Sequence, residues 1–172
     1  MWILTRPKLK DGVKYYGSYL GGFPERARAL LGVRISESVL HVCGGMARHY
    51  PYSRAIGLMD KTLDLDPSCK PDYLRDARES FPEILPGWPG ILIDPPYSEA
   101  DAEFYKPGAS KYPKPNQLLK NAYNALMPGG RVGIIHYILP QISKELMKPV
   151  AYVGVIAGSN NRIRIYSVFE KL

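Results

Sequence analysis

Residues 94–97 read Asp-Pro-Pro-Tyr and follow directly on a short apolar run at 90–93. Each proline fixes φ near about −65° and has no N–H, so Pro95 and Pro96 make a stiff loop whose carbonyls face outward unpaired. The carboxylate of Asp94 and the carbonyl of Pro95 are then two acceptors set side by side, which suits a substrate amino group with two hydrogens to give. Tyr97 adds an aromatic face on which a planar ring can lie. An amine conjugated to such a ring is a poor nucleophile, because its lone pair is spread into the ring. Holding both hydrogens out of the plane localises that pair and aims it at an electrophile, which is catalysis by orientation and preorganised electrostatics. The plain alternative is a rigid turn closed by a capping aspartate.

Other residues of the same chemical character stand at the ends of predicted strands. Residues 38–43 form an apolar run that stops at Gly44-Gly45, where the missing Cβ lets backbone approach a ligand closely. A second strand, within 54–65, ends near Asp64 and Leu65. Asp64 can accept from both hydroxyls of a ribose, and Asp66 competes for that role, although its place before Pro67 suits it to capping the next element. Asp76, with the backbone N–H of Ala77, can hold an amino-purine edge or act as an ordinary cap. Gly21, Gly22, Phe23 and Pro24 read as a turn leading into a helix. Leu118, Leu119, Ala122, Tyr123 and Leu126 share a helix face that Pro128-Gly129-Gly130 should terminate, and residues 131–138 form a further strand. Two strand-like runs joined at Ser159-Asn160-Asn161 close the chain as an antiparallel hairpin. Strands alternating with helical stretches imply an α/β domain with a mostly parallel sheet. In such sheets ligands sit beyond the carboxyl ends of the strands, so Asp94, Gly45 and Asp64 should converge on one crevice.

The composition is that of a globular chain, 45% hydrophobic and 23% charged over 172 residues, and one domain spanning 1–172 is expected. A net charge of +7 favours a polyanionic partner, nucleic acid first. Tyr105, Lys106, Lys111, Tyr112 and Lys114 interleave cations with aromatic rings, a pattern for phosphate contact plus base stacking, and equally for a solvated loop. Arg162 and Arg164 alternate on the last strand and would add phosphate contacts from one face. Cys43 and Cys69 have neither metal-ligand nor disulfide spacing, so no metal is expected and a reducing cytoplasm suits them. No run of about 18 apolar residues is present, and the first residues lack a leader-like apolar region, so neither a membrane span nor secretion is expected.

The motif at 94–97 resembles the catalytic motif of S-adenosylmethionine-dependent amino-methyltransferases, especially DNA adenine-N6 and cytosine-N4 enzymes. The remaining motifs are similar to that family in order. Residues 19–32 resemble the segment that closes over the methionine end of the cofactor, with Gly21, Gly22, Phe23 and Pro24 as its wall. Residues 39–47 resemble the strand and glycine turn beneath the cofactor, which brings in His41, Cys43, Gly44 and Gly45. Residues 63–68 look like the acidic end of the second strand, residues 75–78 like the third motif, and residues 126–136 like the fifth strand and its approach. The resemblance implies a Rossmann-like class I methyltransferase fold, a mostly parallel sheet closed by the C-terminal hairpin, with S-adenosyl-L-methionine as cofactor. Two departures stand out: the family has an acidic residue where His41 stands and a glycine where Ala47 stands. His41 either leaves the cofactor's ammonium contact to a backbone carbonyl or is a satisfied histidine beneath the turn. His136 and His49 read as structural or surface residues.

The resemblance implies methyl transfer to an exocyclic amine, adenine N6 in DNA first. RNA bases, a protein amide, or a degenerate subunit that only grips nucleic acid are the rivals. The family's large target-recognition region has no counterpart here, which predicts low sequence selectivity or a separate specificity partner.

Overall fold

The computed structural model describes residues 1–5, 19–49, 55–105, 112–158 and 162–172. Eight strands run in chain order as β1 (Trp2–Leu4), β2 (Val39–Val42), β3 (Lys61–Asp64), β4 (Tyr73–Leu74), β5 (Trp88–Ile93), β6 (Leu126–His136), β7 (Met147–Ala157) and β8 (Ile163–Lys171). They form one sheet in the order β1-β7-β8-β6-β5-β2-β3-β4. All neighbouring pairs are parallel except those of β8, which runs antiparallel to both β6 and β7. The sheet is therefore mostly parallel and Rossmann-like, with the antiparallel C-terminal strand that the sequence predicts. Its joining turn at 159–161 lies outside the described residues.

Three α-helices accompany the sheet among the described residues: α1 (Phe23–Leu31), α2 (Glu99–Tyr105) and α3 (Pro115–Ala125). This is fewer than strict alternation of strands and helices leads one to expect. Between β2 and β3, and again between β3 and β4, the described residues hold only 3₁₀ turns, Ala47–His49 and Pro67–Cys69. The second of these is capped by Asp66, whose side chain accepts from Ser68 N at 2.9 Å, as its place before Pro67 suggests. The helix expected to end at Pro128 stops earlier, at Ala125, because β6 begins at Leu126 and pairs with Trp88 before the register shifts towards Gly90.

Two cores lie on opposite faces of the sheet. One joins α1 to Val155, Ala157, Tyr166 and Val168; the other joins α3 to Leu40, Ile91, Ile93 and Phe169. Both are apolar, mixing aliphatic and aromatic side chains, and burial at about 25 cal/mol per Å² is what holds the layers together. Tyr166 crosses the sheet over Gly133, where a Cβ would come within 2.0 Å of its hydroxyl, and donates to Ala27 O at 3.3 Å. Only glycine permits that crossing.

Strand order reverses between β2 and β5: the chain builds outward through β3 and β4 on one side and through β6 on the other. The loops after β2 and β5 thus flank the switch point, where ligands bind in open α/β sheets.

Candidate functional site

The loop after β2 opens with Cys43 at φ 53°, a left-handed conformation that a non-glycine residue adopts at a cost. Gly45 follows at φ 50°. The turn is anchored from β3, since Cys43 N donates to Leu63 O at 2.9 Å and Gly45 N donates to Asp64 Oδ2 at 2.8 Å. The same strand end accepts from Asp66 N on Asp64 Oδ1 at 3.0 Å, and Leu65 beside it is exposed. The loop after β5 is tied to the end of β2, directly before that turn, by Asp94 N donating to Val42 O at 3.2 Å. The expected convergence is therefore met in position: Asp94, Gly45 and Asp64 stand together at the carboxyl ends of β5, β2 and β3.

Electrostatics describe that cluster further. Burial pushes the Cys43 thiol well above its usual range, and the charges of Asp64, Asp94 and Asp76 push it in the same direction. Burial raises the pKa of Asp64, against the hydrogen bonds from Asp66 and Gly45. Asp76 is held below the usual carboxylate range by hydrogen bonds from Arg78, whose Nε lies 2.9 Å from Oδ2. Ala77 is buried beside it, its carbonyl accepting from Asn121 Nδ2 at 3.1 Å. Three carboxylates thus crowd one turn, and Asp64 has no cation partner among the described residues. Such a site favours a ligand that brings hydroxyl donors and positive charge.

Asp94 is partly accessible, and its Oδ1 accepts from the Tyr97 hydroxyl at 2.7 Å. Burial raises its pKa, while that hydrogen bond and the charge of Arg164 offset the rise only in part. Tyr97 was expected to offer an open face. Instead its ring is packed at 4.7 Å from the Tyr137 ring, edge-on to His136 at 5.3 Å, and beneath the Arg164 guanidinium at 5.1 Å. Tyr137 and this use of His136 were not seen from sequence; an aromatic pair ending a strand beside the switch point was the available signal. Pro95 is buried and Pro96 half-buried, holding the loop rigid.

The other predicted residues fall as follows. Gly21 N donates to Thr5 O at 2.8 Å and Gly22 caps α1 at φ 74°, so this turn lies against β1. Phe23 is only 1% exposed and packs on Trp2, Tyr19 and Tyr166, so its ring is core and the turn offers a ligand backbone only. Pro24 is likewise buried in the first turn of the helix. His41, also 1% exposed, lies under the glycine turn, its Nε2 3.2 Å from Asp60 Oδ2 and its Nδ1 3.1 Å from the Tyr19 hydroxyl. It is the satisfied histidine of the two readings. Asp60, absent from the sequence-based candidates, is fully buried and also takes Arg28 Nη2, Gly57 N at 2.7 Å and Val39 N at 2.9 Å. Of the cation-aromatic loop, Lys106 and Lys111 lie outside the described residues. Tyr105 and Lys114 are exposed and Tyr112 half-buried at its two ends. Arg162 is exposed, whereas Arg164 turns inward, so the pair does not act from one face.

No family model matches the sequence, and no curated protein matches it. Solved structures do match the fold. The chain is similar to TrmN from Thermus thermophilus, with 21% identity, a TM-score of 0.62 and coverage of 91% of this chain but 50% of that one, so it spans half the length of that protein. It is similar to an rRNA methylase from Streptococcus thermophilus at 11% identity and TM-score 0.53, covering 86% of this chain and 96% of the other. The N-methyltransferase NodS from Bradyrhizobium japonicum, in complex with S-adenosyl-L-homocysteine, matches at 13% identity and TM-score 0.51 over 86% of each chain. The chain therefore has the Rossmann-like fold of class I methyltransferases.

Proposed function

We propose that the chain is an S-adenosylmethionine-dependent methyltransferase acting on an exocyclic amino group, adenine N6 in DNA first. One observation carries the reading: a proline-stiffened aspartate at the end of β5, whose backbone N–H donates to Val42 O at the end of β2, stands beside the strained turn at Cys43 and Gly45, at the switch point of the sheet. The three-carboxylate turn fits a cationic cofactor rich in hydroxyl donors. Backbone at Cys43, Gly44 and Gly45, with Gly21 and Gly22, would hold its amino-acid end, and Asp64 its ribose. Asp76 would take its adenine amine with a lone pair that Arg78 leaves over. When bound, the cofactor supplies an electrophilic methyl group.

The chain's own residues then do four things. Asp94 accepts one amine hydrogen on Oδ2, the oxygen Tyr97 leaves available. The Pro95 carbonyl accepts the other. The two acceptors would turn the nitrogen lone pair out of conjugation, towards the incoming methyl group, and would carry away the amine proton that methylation displaces along the same hydrogen bonds. Tyr97 borders the base. In a duplex that base must be flipped out, at a few kcal/mol. Lys114, Tyr105 and Arg162, all exposed, would supply phosphate and base contacts.

A second reading, methylation of an RNA base amine, is favoured by the rRNA methylase among the structural neighbours. The deciding experiment supplies labelled methyl donor with single-stranded DNA, duplex DNA, RNA and protein, followed by nucleoside mass spectrometry. N6-methyladenine in DNA is the expected product. Label in RNA alone selects the second reading, and no label in any pool, with no heat on titrating the donor, overturns both.

A further inference from the structure

Arg164 is the second residue of β8, the antiparallel strand whose start reaches the carboxyl edge of the sheet. Its guanidinium carbon lies 5.1 Å from the centroid of Tyr97 and 5.9 Å from that of Tyr137. Tyr97 in turn places its hydroxyl on Asp94 Oδ1. Among the described residues Arg164 makes no ion pair, and its buried Nε has no hydrogen-bond partner. Arg28 shows the opposite pattern: Nε donates to Ala55 O at 3.0 Å, Nη1 to Arg34 O at 2.9 Å, and Nη2 to Asp60. A buried donor left without an acceptor is costly, so its retention calls for a return elsewhere. At Arg164 the return is charge acting on a π face, on the Tyr137 hydroxyl as a hydrogen-bond partner and, through space, on Asp94.

We propose that Arg164 is a positioning residue of the transfer site, lying on the Tyr97 ring so that the tyrosine hydroxyl stays on Asp94 Oδ1 and the second carboxylate oxygen, with the Pro95 carbonyl, is left to receive the substrate amine. The identity of that amine rests on the methyl-transfer reading above, but the clamp is measurable without any substrate. The groups that face Asp94 are Tyr97, Arg164 and, from the turn after β2, Cys43. Behind Tyr97 stand His136 and Tyr137 at the end of β6 and Tyr105 at the end of α2. Asp101 of α2 acts on His136, which burial nevertheless holds below its ordinary range. Its Nδ1 accepts from Ile138 N at 2.9 Å, so it is neutral and brings no competing charge. Arg164 is thus the cation that opposes the desolvation of Asp94.

The test compares Arg164→Gln and Arg164→Lys with the native protein. The Asp94 carboxyl is titrated by ¹³C NMR without substrate, its resonance assigned with Asp94→Asn, and kcat and KM are measured against pH. Arg164→Gln should raise the Asp94 midpoint further, because the opposing charge is gone. It should also lower kcat about tenfold or more, with KM for the methyl donor held within about twofold, and move the acidic limb upward with the midpoint. Arg164→Lys, which keeps the charge and loses the planar stacking, should hold the midpoint yet still lose kcat. A fixed midpoint, or an unchanged kcat in a folded Gln variant, overturns the proposal. If Arg164→Gln does not fold, an unchanged kcat in Arg164→Lys overturns it instead. Should the native protein transfer no methyl group, the functional reading fails, and the NMR midpoint alone decides the clamp.

Discussion

Two clusters in this molecule use the same four residue types to opposite ends. Beneath α1, Asp60 is surrounded by Arg28, His41 and, through His41, Tyr19. At the switch point, Asp94 is surrounded by Tyr97 and Arg164, with His136 behind. In the first, both carboxylate oxygens are bonded, two backbone N–H groups join in, and every side-chain nitrogen of the histidine and arginine that border the aspartate has a partner. In the second, one carboxylate oxygen is left over, and Arg164 Nε and His136 Nε2 are buried without partners among the described residues. Burial would raise both aspartates, yet the hydrogen bonds of His41 and Arg28 bring Asp60 below its ordinary value, while Asp94 stays above it. A saturated polar cluster fixes a fold; one with valences to spare is poised for a ligand.

The largest effect should come from breaking the saturated cluster. Asp60→Ala leaves the Arg28 guanidinium buried and uncompensated, which typically costs about 3–5 kcal/mol. Denaturant unfolding should show that loss, and Asp94→Ala in parallel should show far less. Equal losses would dissolve the distinction. Next is Asp94→Asn, which keeps the shape but presents an N–H or a weaker acceptor to the amine. Transfer should fall about 10²–10³-fold, the scale seen when a single preorganised group is removed. Donor affinity by calorimetry should stay within severalfold, and the melting temperature should hold or rise, because a desolvated charge has been removed.

Acid should separate the clusters too. A carboxylate with a raised folded pKa favours its protonated form, so the ionised Asp94 costs stability at neutral pH, and it loses both its charge and that cost first as pH falls. Asp60, with its folded pKa below the ordinary 3.8, contributes stability above that value and surrenders it only as pH drops through the lower folded value. Transfer activity should therefore vanish at a higher pH than the circular dichroism signal. Coincident losses would show that Asp94 does not limit the acidic limb.

Much of the crevice was legible from spacing. Asp94, Gly45 and Asp64 were placed together because each ends a strand, and strand ends in a parallel sheet share an edge. Asp66 could be assigned as a cap because proline follows it. What escaped were contacts between residues far apart in sequence. Nothing around Asp60 announces that it will be buried against Arg28, 32 positions earlier. His41 looked like a departure from an acidic motif position, and only the fold reveals that Asp60 brings the carboxylate to it. Phe23 was misjudged as a ligand wall because a turn of two glycines says where backbone is exposed but not which way the next ring points. Arg162 and Arg164 alternate in sequence, yet the end of the strand sends one to solvent and the other over Tyr97.

The finest comparison is between the two tyrosines. Asp60 can only accept, so His41 Nε2 presents a proton to it, while Nδ1 shares a hydrogen bond with the Tyr19 hydroxyl, 3.1 Å away. Tyr19→Phe leaves a buried ring nitrogen without its partner, a loss of about 1 kcal/mol in stability with transfer unchanged. Tyr97→Phe removes a hydroxyl from a carboxylate that is partly accessible, and burial already opposes ionisation of that carboxylate. Its stability should hardly move, because water can replace the bond, but Asp94 Oδ1 then becomes free to rotate and compete for the amine. That variant should lose kcat severalfold with its KM for the donor preserved, the mirror image of Tyr19→Phe. Paired melting curves and steady-state kinetics read both, and a stability loss at Tyr97 matching that at Tyr19 would mean that the two clusters are both simply structural.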